Sequence, residues 1–241
     1  MPDKSLLIVQ HMTWEGPGEH LRAALAESGL SFRVLEAWHE PLPSLDGCAG
    51  LIVLGGSPNV DEDDQYPYLG PLKALIREAI AAGRAVLGIC LGHQLLGHVL
   101  GCRVGPLPRK SVGFIEGELT AAGMMHPVFQ GLPQRLPLFK WHGQGVLPPM
   151  PEGVTILAHS EAAPVESLGL RDNPRVLGVQ FDNHVGGADV TKWLQADGDW
   201  ALAGSGADPE ALVAQTRSLE TEMGREFRQF FRNFLQEGGL V

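Results

Sequence analysis

Four runs of nearly unbroken apolar residues, each closed by a helical stretch or a glycine turn, restrict this chain to a narrow set of folds. They are SLLIVQ (5–10), SFRVLEAW (31–38), LIVLGG (51–56) and RAVLGI (84–89). Between them, GEHLRAALAES (18–28) places Leu21, Ala24 and Leu25 on one helical face before Gly29 stops it. PLKALIREAIAA (71–82) has Pro71 at a first-turn position, apolar residues at helical spacing and Gly83 as its stop. Strands without a polar face must be covered on both sides, so the alternation predicts an α/β fold with an open, mostly parallel sheet flanked by helices. Ligands of such sheets bind at the carboxyl ends of the strands, where the Gly55–Gly56 and Cys90 loops fall.

Beyond Arg103 the strands shorten (FIEGELT, PLFKWH, VTILAHS, RVLGVQF) and alternate with Pro and Gly clusters, which predicts a small antiparallel elaboration before the last core strand at 176–181. The tail from Asp208 to Gln236 reads as a helix capped by Asp208, with Pro209 in the first turn and Leu212, Phe227, Phe230, Phe231 and Phe234 on its apolar face. No linker composition interrupts the chain, so residues 1–241 are expected to form a single domain.

Charge excludes one class of partner. With 18 basic and 28 acidic residues the formal net charge is -10, and no basic stripe is present to displace counterions from a nucleic acid. Three cysteines, Cys48, Cys90 and Cys102, are too few for a disulfide framework, and the N-terminus lacks the apolar stretch of a leader or membrane span. The expectation is a cytoplasmic, reduced protein with no membrane or nucleic-acid partner. The acidic run Asp61–Asp64 has no calcium-loop spacing, so neither a metal nor another cofactor is expected.

The chemistry concentrates at VLGICLGHQLLG (86–97), where Cys90 stands in G-x-C-x-G between a buried strand and an apolar helix. Flanking glycines permit the sharp turn of a nucleophile elbow, and a helix N-terminus favours thiolate and offers N–H groups to an oxyanion. Cys48 and Cys102 lack this setting and read as small packing residues.

GICLGHQLLG resembles the nucleophile motif of class I glutamine amidotransferases, in particular stand-alone proteins similar to the amidotransferase domain of GMP synthase. IVQHMTWEGPGEH, LGGSPNVDEDDQYPYL, FKWHG and VLGVQF resemble successive blocks of that family, so the likeness runs from residue 5 to about 195. It implies a flavodoxin-like sheet and attack of Cys90 on a glutamine side-chain amide, giving a thioester, ammonia and then glutamate. It further implies oxyanion donors at Gly55, Gly56 and Leu91, a substrate-binding role for Gln94, and a separate synthase polypeptide as ammonia acceptor.

Two departures bear on activity. The family follows the Gln-Phe of its last core strand with His-x-Glu, but here these positions hold Asp182 and His184. Family members often carry Gln-Ala-Phe where this chain has Glu166, Ser167 and Leu168. Residues two apart on an extended strand share a face, so Asp182 and His184 are expected to point toward Cys90 together. Moving the imidazole two places shifts its anchor by about 6–7 Å, so His184 serves as base only if the chain bends, for which Gly186 and Gly187 give the means. A carboxylate facing the sulfur at ~4 Å and an effective dielectric of about 20 opposes thiolate by roughly 4 kcal/mol, so a productive site needs Asp182 turned away. His93 and His142 are weaker candidates for the base.

Three readings remain open. The first is a glutaminase with a Cys90–His184–Asp182 triad, weak in the isolated chain; the second is a γ-glutamyl peptide hydrolase; the third is a silent binding or regulatory module. An α/β-hydrolase with a cysteine elbow fits poorly, because its acid normally precedes the histidine on a separate loop.

Overall fold

A computed structural model describes residues 5–241. β1 (Ser5–Gln10), α1 (Gly18–Ser28), β2 (Ser31–Glu36), β3 (Cys48–Val53), α2 (Leu69–Ala81), β4 (Ala85–Ile89) and α3 (Leu91–Val99) form the expected alternation. β5 (Arg103–Leu119), the short α4 (Ala121–Met125), β6 (Arg135–Leu147), β7 (Val154–Ser160), β8 (Ser167–Leu170) and β9 (Asn173–Val179) follow. α5 (Gly187–Leu202) and α6 (Pro209–Glu237) complete the chain.

One nine-stranded sheet has the order β2-β1-β3-β4-β9-β8-β7-β5-β6. Its first five strands are parallel, in the doubly wound arrangement with a crossover on either side of β1. The remaining four pair antiparallel, with β5 and β6 forming a long ribbon in which Phe114 lies opposite Phe139. The fold is therefore α/β, a mostly parallel flavodoxin-like sheet with an antiparallel extension. FIEGELT proves to be the distal part of a 17-residue strand that begins at Arg103.

The inner parallel strands β1, β3, β4 and β9 are apolar on both faces, whereas the edge strand β2 is mostly exposed, and the alternation sorts the inner side chains between two cores. Leu6 and Ile8 join Ile52, Leu87 and Ile89 against α1 and the phenylalanines of α6. Leu7 and Val9 join Leu51, Val53 and Val86 against α2 and α3. A third cluster, Phe139, Trp141, Val185, Val190, Trp193, Leu212 and Met223, packs β6 against α5 and α6. Asp208 caps α6 as expected, its Oδ1 accepting from Ala211 N at 2.7 Å. No helix among the described residues is long and apolar enough to cross a membrane.

Helix α5 is the element that the sequence pattern does not announce. Gly186 and Gly187 do not bend the chain back toward the thiol; Gly186 is the N-cap of α5, and its N–H donates to Asp189 Oδ2 at 3.1 Å.

Candidate functional site

Cys90 stands between the last residue of β4 and the first of α3 with φ 51° and ψ -107°, the one non-glycine residue with positive φ among the described residues. Such a conformation costs about 1–3 kcal/mol and persists only where its surroundings enforce it. Here they do. A Cβ on Gly88 would overlap Gly92 O, and one on Gly92 would overlap Val53 O, so α3 lies directly on the strands beneath it. The expected elbow is present, and its side chain lines a cavity of about 450 Å³. Gly56, Leu91, Gln94, His142 and Gln144 line the same cavity, joined by Trp14, Glu15, Trp141, Asp197 and Trp200.

Gly55 and Gly56 follow β3 at the carboxyl edge of the sheet. A Cβ on Gly55 would overlap the Glu15 carboxylate and come within 3.3 Å of Cys90 Cβ, so glycine is required for the acid, the loop and the thiol to meet. Among the described residues, none of the backbone hydrogen bonds outside helices and strands takes up the N–H of Gly55, Gly56 or Leu91. The Leu91 N–H reaches the Cys90 sulfur. Gln94 is tied into the scaffold: its Nε2 donates to Gln144 O at 3.0 Å and to Gln180 Oε1 at 3.2 Å, while Gln180 Nε2 donates to Cys90 Sγ at 3.7 Å.

Asp182 and His184 do not lie on an extended strand. β9 ends at Val179, and the following segment is pinned to β6: Asp182 N donates to Phe139 O at 2.8 Å and Asn183 Oδ1 accepts from Phe139 N at 2.8 Å. Val185 N closes a turn onto Asp182 O at 3.2 Å. The expectation of an extended strand through these residues is therefore corrected: the backbone turns here. The Asp182 carboxyl acts on the Cys90 thiol through charge, and among the described residues neither of its oxygens has a hydrogen-bond partner. His184 packs its ring 6.2 Å from that of Trp193 and 6.4 Å from that of Phe227, and its carbonyl accepts from His20 N and Leu21 N at the start of α1. Its Nδ1 lies 3.9 Å from Asp182 Oδ1, too long for a hydrogen bond, and among the described residues neither ring nitrogen has a partner. The carboxylate thus lies between thiol and imidazole, the reverse of a sequence in which the imidazole would take the thiol proton. Among the described residues, none of the groups acting on the Cys90 sulfur is an imidazole.

Electrostatics follow from this placement. Burial pushes the Cys90 thiol well above its ordinary range, and the Asp182 and Glu15 carboxylates push it further, against the opposing pull of the Lys140 ammonium and the Leu91 N–H. Burial likewise raises Asp182, with Lys140 pulling it back. His184 is lowered to about 3 by burial. Burial also lowers His93 to about 3 and carries His142 well below its usual value, so both are neutral, and His142 Nδ1 is engaged with Gln144 O at 2.8 Å.

Behind the thiol lies an ion pair that sequence reasoning missed. Lys140, fully buried on β6, pairs with Glu166, also fully buried, whose second oxygen accepts from Ser160 Oγ at 2.5 Å. A lysine inside the apolar stretch PLFKWH was the available signal, since a buried ammonium requires a partner. Glu15 was also missed; its signal was an acid in the loop that follows β1 at the ligand-binding edge. Among the described residues no group of three His, Cys, Asp or Glu side chains is placed to hold a metal ion.

Comparison with known proteins agrees with this architecture. Residues 18–182 match the family described as glutamine amidotransferase class-I. A glutamine amidotransferase-like protein of Salmonella typhimurium, YfeJ, is 34% identical over 65% of this chain and 66% of its own length. One of the subunits of a glutamine-hydrolyzing GMP synthase from Thermococcus kodakarensis is 31% identical over 58% of this chain and 70% of its own. The crystal structure of a glutamine amidotransferase from Thermotoga maritima superposes with TM-score 0.87 and 25% identity, covering 97% of this chain and 99% of that one. The match spans just under two thirds of YfeJ and as little as 23% of a GMP synthase from Thermomicrobium roseum. The doubly wound sheet, the strained cysteine between β4 and α3, and a family match over more than half of the residues lead to one conclusion: this chain belongs to the class-I glutamine amidotransferase family.

Proposed function

We propose that this chain, read as one amidotransferase domain, holds glutamine or a related γ-glutamyl small molecule above Cys90, and that the isolated protein hydrolyses the amide slowly or not at all. The observation that carries the reading is the surroundings of the Cys90 sulfur, where Gln180 Nε2 lies at 3.7 Å and the acting charges are acids and a lysine where an imidazole is needed. Attack requires thiolate, and this thiol is buried beside two acids that keep its proton on.

Binding is supported by the cavity, whose volume of about 450 Å³ lies in the range of small-molecule sites. The N–H groups of Gly55, Gly56 and Leu91 are the proposed donors to the amide oxygen, and Gln94, held by Gln144 and Gln180, is the proposed polar contact. Because a related protein is named as one subunit of a synthase, the proposed partner is a separate synthase polypeptide that receives any ammonia released. Three free cysteines fit a reducing, cytoplasmic setting.

Ammonia release from glutamine by the purified chain tests the proposal, alongside the paired variant Asp182→His with His184→Glu, which restores the family order. Wild type is expected at background, and the paired variant is expected to release ammonia in a manner abolished by Cys90→Ser. Enzyme-like turnover by wild type, lost in Cys90→Ser, would refute the silent reading whether or not the paired variant folds. A γ-glutamyl substrate larger than glutamine is the second reading, favoured by the three indoles that extend the cavity wall; γ-glutamyl dipeptides in the same assay address it.

A further inference from the structure

The cavity above Cys90 has a wall that amide hydrolysis does not call for. Trp14, Trp141 and Trp200 line it together with Glu15 and Asp197. Asp197 and Trp200 stand on α5, beyond residue 182, where the family match ends. Asp197 is fixed in place by Trp141, whose Nε1 donates to its Oδ2 at 3.0 Å.

Glu15 is the second acid of the wall. It is 3% exposed, it faces the cavity, and among the described residues none of the side-chain hydrogen bonds reaches its carboxyl. Burial, then the Asp182 and Asp197 carboxylates, hold it well above the usual carboxylate range. A buried acid without a donor, beside two more acids, is stabilised by a cation. The charged groups around it are few. His142 is neutral, and Lys140 is committed to Glu166. Lys110 is the one cationic side chain lining the cavity; its Nζ lies 4.2 Å from the Trp200 ring centroid and donates to the carbonyls of Trp200 and, at 3.0 Å, Ala203. The Trp200 ring thus already carries the Lys110 ammonium, which shows that an ammonium fits against this wall, and a single Lys110 does not neutralise both of its acids.

We propose that the wall formed by Trp14, Trp141, Trp200, Glu15 and Asp197 binds an alkylammonium group, so that the cavity takes a small amine-bearing compound. The proposal rests on the functional reading above only for what sits against Cys90. Indole faces attract a cation through the ring quadrupole, and the carboxylates supply charge-assisted hydrogen bonds that a neutral or anionic analogue cannot use.

Titration of the full chain with n-butylammonium, followed by tryptophan fluorescence and calorimetry, tests this against n-butanol as the neutral isostere and butyrate as the anion. Saturable binding is expected for the amine alone, weakened roughly tenfold by Asp197→Asn and by Trp200→Ala. Asparagine at 197 keeps an acceptor for Trp141, so a loss there reports charge and not collapse of the wall. Equal binding of n-butanol and n-butylammonium, or undiminished amine affinity in Asp197→Asn, would overturn the assignment. Amine binding requires no turnover, so its failure leaves the glutamine reading standing, and glutaminase activity in wild type leaves the amine site standing.

Discussion

Replacing Asp182 by asparagine removes one charge from beside the Cys90 sulfur while keeping the shape of the side chain. The carboxyl acts on the buried thiol through charge. At about 4 Å and an effective dielectric of about 20, the repulsion between carboxylate and thiolate is roughly 4 kcal/mol, or about three pKa units. The Lys140 ammonium acts on both groups and offsets part of this, so a downward shift of the thiol is expected for Asp182→Asn. Burial, the larger cause, is untouched, and the thiol stays above its ordinary value. The repulsion acts on the thiol wherever the carboxyl is ionised. The stability sign follows from the same shift. The folded-state value of Asp182 is raised, so its contribution is fully present below the unfolded value of 3.8 and is lost as pH rises through the folded value. Asparagine escapes that loss, so the variant gains on wild type by up to about 1.4 kcal/mol per pH unit over that window, or about 2–4 °C in Tm per kcal/mol. The assay is the pH dependence of iodoacetamide alkylation at Cys90, resolved by mass spectrometry in a Cys48→Ser background, with thermal melts at each pH. An alkylation midpoint that fails to fall, with a Tm difference flat across pH, would refute the placement of the carboxylate.

Two further outcomes are expected. Because Cys90 holds φ at 51°, Cys90→Gly should be more stable than Cys90→Ala by about 1 kcal/mol, read by denaturant unfolding, since alanine keeps the strain and glycine relieves it. Lys140→Met leaves Glu166 as a buried, unpaired charge and should cost about 3–5 kcal/mol, while adding Glu166→Leu should recover most of that loss in a double-mutant cycle.

Much of the fold was legible because local pattern and tertiary role coincide. The apolar strands, the helices α1 and α2, the Asp208 cap and the elbow at Cys90 all follow from side chains within a few residues of one another. Helix α5 was not legible, because its paired glycines and polar first turn read as a bend, whereas Asp189 reaches back to Gly186 N and to Glu19 N at 2.7 Å to start a helix against α1. The turn that carries Asp182 and His184 was not legible either. It is decided by Asn183, whose two amide atoms bind Phe139 N and Pro137 O, a strand more than forty residues away in sequence.

The sequence by itself determined the doubly wound framework and the presentation of one cysteine at a strand-to-helix turn, since both are consequences of periodicity and of glycine where the backbone must pass closely. Only the tertiary structure decided the state of that cysteine. Glu15, Lys140 and Asp182 come from three separate segments, and charge acts through space across a buried, low-dielectric interior, so their joint action on the thiol proton has no signature in any one stretch of the chain.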